Sequence, residues 1–214
     1  MLKAVIFDFD GTLADTRQIL YKVYDRLSEK HKLPPIPHDR LDHFRSMTIR
    51  ERFKVFNVPL LKLPALLREG LPIYNEYIEA AEPYRGIEEM VHQLREAGLL
   101  MTIVSSNAIG NIKHFLEAHR LDIFDRVQAT PGLFGKHHTI KRLLHDLKLE
   151  PAEAIYVGDE FRDIAACKKV PISIISVTWG YDHVNLLRQG EPDYLADRPE
   201  EIVSLLLDNG ARYC

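Results

Sequence analysis

Cysteine is nearly absent: the chain of 214 residues has two, Cys167 and Cys214. Two thiols cannot build a metal cage, and in a reducing compartment they stay unpaired, so both read as structurally passive. Long apolar runs are also missing, and none approaches the ~20 residues that cross a bilayer. The N-terminus shows no basic stretch followed by an apolar segment and a small-residue cleavage site, so export is not expected and the expected location is cytoplasmic. Charge of one sign is not in excess. The 28 basic and 31 acidic residues leave a net charge of −3, which gives neither nucleic acid nor an anionic membrane an electrostatic reason to bind. Internal repeats and low-complexity segments are lacking too. What remains is an ordinary composition, 46% hydrophobic and 28% charged, long enough for one large core or a core with an inserted module.

The stretch from Val5 to Leu13 organises the chain. Ala4 to Phe7 is a short apolar run with β-branched and aromatic members, the pattern of a strand buried on both faces. It runs into Asp8, Phe9, Asp10, Gly11 and Thr12. If the strand persists, Asp8 and Asp10 share a face and point into one pocket at the carboxyl edge of a sheet. Two carboxylates this close need a cation or a shared proton, and a hard divalent ion such as Mg²⁺ suits oxygen ligands. An aspartate-rich turn, with Gly11 at positive φ, is the competing reading. A calcium loop fits poorly, because Gly falls at the wrong position and a strand precedes it.

From Thr16 to about Tyr77 the pattern is helical. Ile19, Leu20, Val23, Tyr24 and Leu27 recur at helical spacing. Pro34, Pro35 and Pro37 make a loop, shorter helical pieces follow, and Pro72 predicts a kink or a fresh start in the last of them. From Ile87 strands and helices alternate, which predicts a parallel sheet with helices on both faces. The expected fold is α/β: a doubly wound parallel sheet over residues 1–14 and 83–214, with a four-helix cap inserted at 15–82.

Three later stretches carry chemistry. The strand Leu99 to Val104 ends in Ser105, Ser106 and Asn107, which read either as a helix N-cap or as an anion site at a helix start. Lys136 opens a helix, where its charge opposes the helix dipole. An ion pair with phosphate and carboxylate would explain that place, and an exposed surface lysine is the bland reading. His137 and His138 diverge as neighbours and read as a solvated helix start. The strand Ala154 to Val157 ends in Gly158 and Asp159, with Asp163 in the first turn of the next helix. Acids are favourable there on dipole grounds alone, which accounts for Asp163 better than for Asp159.

Taken in order, these four stretches resemble the motifs of the haloacid dehalogenase (HAD) superfamily, and the helical insert resembles the cap of its phosphoglycolate phosphatase-like branch. The resemblance covers the whole chain. It departs in two places: no Pro follows Lys136, and Glu160 stands where Ser or Thr is common, which could tune the metal's outer shell. The resemblance implies a Mg²⁺-dependent phosphatase acting on a small phosphorylated metabolite. Asp8 would be the nucleophile that forms an aspartyl-phosphate, and Asp10 the acid and base. Metal would be held by Asp8, Asp159 and the backbone of Asp10. Ser105, Ser106, Lys136 and Thr12 would serve the phosphate side, Thr12 by steadying the Asp10 loop, and Asp163 would orient Lys136 or the metal's waters. A sugar-phosphate mutase or a non-catalytic binding module on the same scaffold are the alternatives. Arg45, between helical pieces of the cap, is a candidate to meet a substrate carboxylate through a bidentate contact. A monomer or weak homodimer is expected.

Overall fold

The computed structural model describes residues 1–36 and 40–208 (for Leu60, the backbone alone), so Pro37 and Cys214 lie outside the described residues. Six strands form one sheet, every neighbouring pair parallel, in the order β3-β2-β1-β4-β5-β6. They are β1 Ala4–Phe7, β2 Leu100–Ser105, β3 Arg126–Ala129, β4 Ala154–Gly158, β5 Ser173–Val177 and β6 Tyr194–Ala196. The strand order reverses between β1 and β4, where open α/β sheets form a crevice at their carboxyl edge. Asp8 follows β1 and Asp159 follows β4, so the sheet alone brings those two acids together.

All four residues of β1 are fully buried, as its unbroken apolar run predicts. Alternation splits them between two cores. Val5 and Phe7 face one side with Met101, Ile103, Ile155 and Val157. Ala4 and Ile6 face the other with Val104, Tyr156 and Ile174. The second face is covered by α7 (Lys136–Leu147) and α8 (Phe161–Lys168), through Ile140, Leu143, Leu144 and Ile164. The first is covered by α5 (Ile87–Glu96), α6 (Ile109–Ala118) and α10 (Pro199–Val203), through Met90, Ile112, Phe115 and Ile202.

Between β1 and α5 the chain is helical: α1 Arg17–His31, α2 Leu41–Arg45, α3 Ile49–Val55 and α4 Leu63–Tyr77. Ile36, Phe56 and Val58 form a small core of their own with aromatics of α1, α2 and α3. Ile19, Val23 and Tyr74, in contrast, join the large core under the sheet. Pro72 does not restart α4, which runs unbroken through it. The ring lies on the exposed side of the helix, where the carbonyl it leaves unpaired can take water. After α10 the expected last helix changes to a π-helical turn over Ser204–Asp208. One further helix, α9 (Val184–Gln189), follows the loop after β5. Among the described residues no helix is long and apolar enough to cross a membrane.

Candidate active site

Asp8 continues the Ala4 and Ile6 side of the sheet, and the helices on that side supply its partners. Its backbone N–H still bonds the Val157 carbonyl, while its Oδ1 accepts from the Phe9 N–H at 2.8 Å. Lys136, the first residue of α7, reaches Asp8 Oδ2 at 2.8 Å and Asp163 Oδ1 at 2.6 Å. All three side chains are buried. Burial works against the Lys136 ammonium, but Asp163 and Asp8 outweigh it and hold its pKa above that of an ordinary lysine. Burial pushes the Asp163 carboxyl up to about 7, with Lys136 opposing. The ammonium sits 5.4 Å from the Tyr156 ring centroid, and the Tyr156 hydroxyl is fixed to the Val104 carbonyl.

Asp10 is built differently. The strand does not persist through it, because the Phe9 carbonyl accepts from the N–H groups of Thr12, Leu13 and Ala14 and turns the chain there. Gly11, at φ 78°, makes that turn possible. The Asp10 carboxyl is met from the helical insert and the start of α6. Tyr74 donates to Oδ1 at 2.6 Å and Thr16 at 2.9 Å, and the Asn107 amide reaches Oδ1 at 3.2 Å and Oδ2 at 2.9 Å. Thr16 also bonds the Tyr181 hydroxyl. Burial raises the Asp10 pKa; Tyr74 lowers it, Asp8 raises it, and Thr16 and Asn107 lower it.

Asp159 is fully buried. It accepts from Thr12 Oγ1 at 2.9 Å and from the Tyr181 N–H at 2.7 Å. Thr12 therefore ties the loop that carries Asp10, through its N–H on the Phe9 carbonyl, to Asp159 through its hydroxyl. Two glycines close over this carboxyl: a Cβ on Gly11 would stand 2.3 Å from Asp159 Oδ2, and one on Gly180 2.2 Å. The Trp179 indole, donating to the Thr12 carbonyl at 3.1 Å, ties the same loop to the first turn. Burial, then Glu160, Asp8 and Asp163, push the Asp159 pKa far above the carboxylate range. Glu160 goes the other way: burial opposes its charge, but Arg162 holds it ionised. Arg162 also reaches the Leu133 carbonyl at 3.1 Å and Ser106 Oγ at 3.4 Å.

This donor set fits a hard divalent cation. Oxygens of Asp8, Glu160 and Asp163 lie within 4.8 Å of one another; Asp159, the expected ligand beside Asp8, is not one of that trio, and its surroundings favour the neutral form. Lys136 and Arg162 are set against these four acids; without an ion, burial and like-charged neighbours favour a proton on Asp159, and a divalent cation beside it would favour the carboxylate instead.

Ser105 is buried, and its Oγ accepts from the Asn107 N–H at 3.2 Å, which leaves its hydroxyl proton free to donate. A cavity of about 320 Å³ opens beside Lys136, lined by Thr48, Arg50, Phe134, Glu160 and Arg162 among others. Arg45, the last residue of α2, is taken up by the loop after β5: it donates to the Tyr181 carbonyl at 3.1 Å and the Gly180 carbonyl at 3.0 Å, and pairs with Asp42. A substrate carboxylate would compete with those partners. Arg52 on α3 pairs with buried Asp182 of the same loop. Sequence reasoning missed Tyr74, Thr16, Arg162 and the loop 179–182. Thr16 and Arg162 lie close in sequence to motif acids, and that was their signal; Tyr74 and the loop had none.

Residues 5–177 match the haloacid dehalogenase-like hydrolase family. The phosphoglycolate phosphatase of Synechococcus elongatus is 28% identical over 203 residues, covering 94% of this chain and 96% of that protein. The N-acetylmuramic acid 6-phosphate phosphatase of Pseudomonas aeruginosa is 26% identical, covering 96% and 95%. A haloacid dehalogenase-like family hydrolase from Streptococcus pneumoniae superposes with a TM-score of 0.75 at 22% identity, covering 95% of this chain and 98% of that one. With the sheet order, the acids at the ends of β1 and β4 and the match over most of its length, this chain belongs to the haloacid dehalogenase-like hydrolase family.

Proposed function

We propose that this hydrolase is a Mg²⁺-dependent phosphatase for a small phosphate monoester of the phosphoglycolate type, working through an aspartyl-phosphate on Asp8. The observation that carries the reading is the different setting of the two aspartates. Asp8 is pinned by Lys136 and its own turn, whereas the Asp10 carboxyl is held separately by neutral donors. Mg²⁺ would be held by the carboxylates of Asp8 and Asp159 and the backbone carbonyl of Asp10. When bound it supplies positive charge against the phosphoryl oxygens and the attacking carboxylate.

Lys136 and the Ser105 hydroxyl bind phosphoryl oxygens where charge must be held in place. Asp8 attacks phosphorus, and the bond to the leaving oxygen breaks. Asp10, its pKa raised by burial, gives that oxygen its proton and then takes one from the water that cleaves the phosphoenzyme. Asp163 holds Lys136 on line with Asp8. The helices at 15–82 form the cap that covers the site.

Rapid quench with an activated aryl phosphate tests this mechanism. Asp10→Asn is expected to bind Mg²⁺ normally, phosphorylate Asp8 and stall, so an acid-stable phosphoenzyme accumulates. Asp8→Asn is expected to form none. Normal turnover by Asp10→Asn, or loss of its Mg²⁺ binding, refutes the role given to Asp10.

A further inference from the structure

Tyr74 lies near the end of α4, in the helical insert, and is 6% exposed. Its hydroxyl is aimed out of the insert at a residue of the β1 loop. Two features fix that aim. Gly70, one helical turn earlier, lets α4 approach α1 closely: a Cβ there would stand 3.0 Å from Val23 Cγ1. The ring itself is packed into the core that also holds Phe9 and Ile78. The donors at Asp10 are unevenly shared. Oδ1 receives Tyr74, Thr16 and one contact of Asn107, whereas Oδ2 receives Asn107 alone. A carboxylate oxygen offers about two lone-pair sites, so Oδ1 is filled and Oδ2 keeps room for a further partner.

We propose that Tyr74 is a positioning residue for the reaction: by donating to Asp10 Oδ1 it fixes the rotation of the carboxyl group and presents Oδ2 to the leaving oxygen and then to water. Its hydroxyl donates to the Asp10 carboxyl, so Tyr74 acts through Asp10. Because the tyrosine belongs to the insert and the aspartate to the sheet, the acid is aimed only while α4 is docked. The inference rests on the acid–base role of Asp10 proposed above.

The test is the leaving-group dependence of Tyr74→Phe, which removes the hydroxyl and keeps the ring. With an alkyl phosphate, whose leaving oxygen needs its proton in the first step, kcat should fall by about tenfold or more. With p-nitrophenyl phosphate the rate of phosphoenzyme formation should stay within about twofold, and KM should be unchanged for both. Placed in Asp10→Asn protein, Tyr74→Phe should cost nothing further on the alkyl phosphate, since the group it aims is gone. Equal losses on both substrates, the same loss with and without Asp10, or no loss at all would overturn the proposal and leave Tyr74 a packing residue. The cycle also protects the test if the variant is less stable, because a folding defect would persist in the Asp10→Asn background. If Asp10→Asn itself shows no leaving-group dependence, the acid–base reading falls and this inference with it. A loss confined to the alkyl phosphate in Asp10→Asn, with no such loss in Tyr74→Phe, overturns the inference alone.

Discussion

Replacing Lys136 by methionine keeps most of the length of the side chain and removes its charge. In the folded protein that charge lies 2.8 Å from Asp8 and 2.6 Å from Asp163, with the three side chains 4%, 2% and 0% exposed. Breaking a buried pair by deleting one partner costs about 3–5 kcal/mol, because the other charge stays behind unpaired. For a chain of this size that is a fall in Tm on the order of 10 °C. The pH dependence has a definite sign. Burial already raises the Asp163 carboxyl to about 7, and without Lys136 it rises further. A carboxyl whose folded pKa is raised contributes stability that is fully present below its unfolded pKa and is lost as pH rises through the folded value. The gap in Tm between wild type and Lys136→Met should therefore be small near pH 5 and widen toward pH 8. Adding Asp163→Asn should recover part of the loss at pH 8, and Mg²⁺ should recover part as well. Thermal unfolding followed by circular dichroism at both pH values, with Mg²⁺ and with chelator, measures all of this. A variant within about 1 kcal/mol of wild type at pH 8, or a gap larger at pH 5 than at pH 8, would show that Lys136 does not hold Asp163 in the ionised form.

Two further outcomes follow from the loop after β5. Gly180→Ala drives a Cβ to 2.2 Å from Asp159 Oδ2 and, with Asp159 holding Mg²⁺ as proposed, should weaken Mg²⁺ binding by about 10–100-fold in calorimetry. Gly110→Ala, with nothing within 4 Å, is the control and should bind normally. At the joint between helical insert and sheet, burial raises the Asp182 carboxyl to about 6, with Arg52 opposing. That group's contribution to stability is greatest below its ordinary value of 3.8 and is lost as pH rises to about 6, a change of up to about 3 kcal/mol. Asp182→Asn should flatten the Tm profile over that window. An unchanged profile counts against a raised Asp182.

The sequence by itself determined the elements and the order of the chemistry. An unbroken apolar run made β1 a fully buried strand, and acids placed just after β1 and β4 had to meet once the sheet became doubly wound. The start of α7 at Lys136 was legible because apolar periodicity begins there. Periodicity also marked the insert as helical, although it gave Pro72 more power to interrupt than an exposed position in a packed helix allows. Only the tertiary structure decided what surrounds those acids. Tyr74 and Asp10 are 64 positions apart, Arg52 and Asp182 130, and Asp159 and the Tyr181 N–H 22. The turn after Phe9, which sent Asp10 to partners different from those of Asp8, was one of two readings that Gly11 left open in the sequence, and the backbone hydrogen bonds to the Phe9 carbonyl decide it. Local periodicity reports which face of an element is buried. Which polar group arrives opposite a given carboxyl depends on how helices from distant stretches pack over the sheet edge, and that is set by the closed fold as a whole.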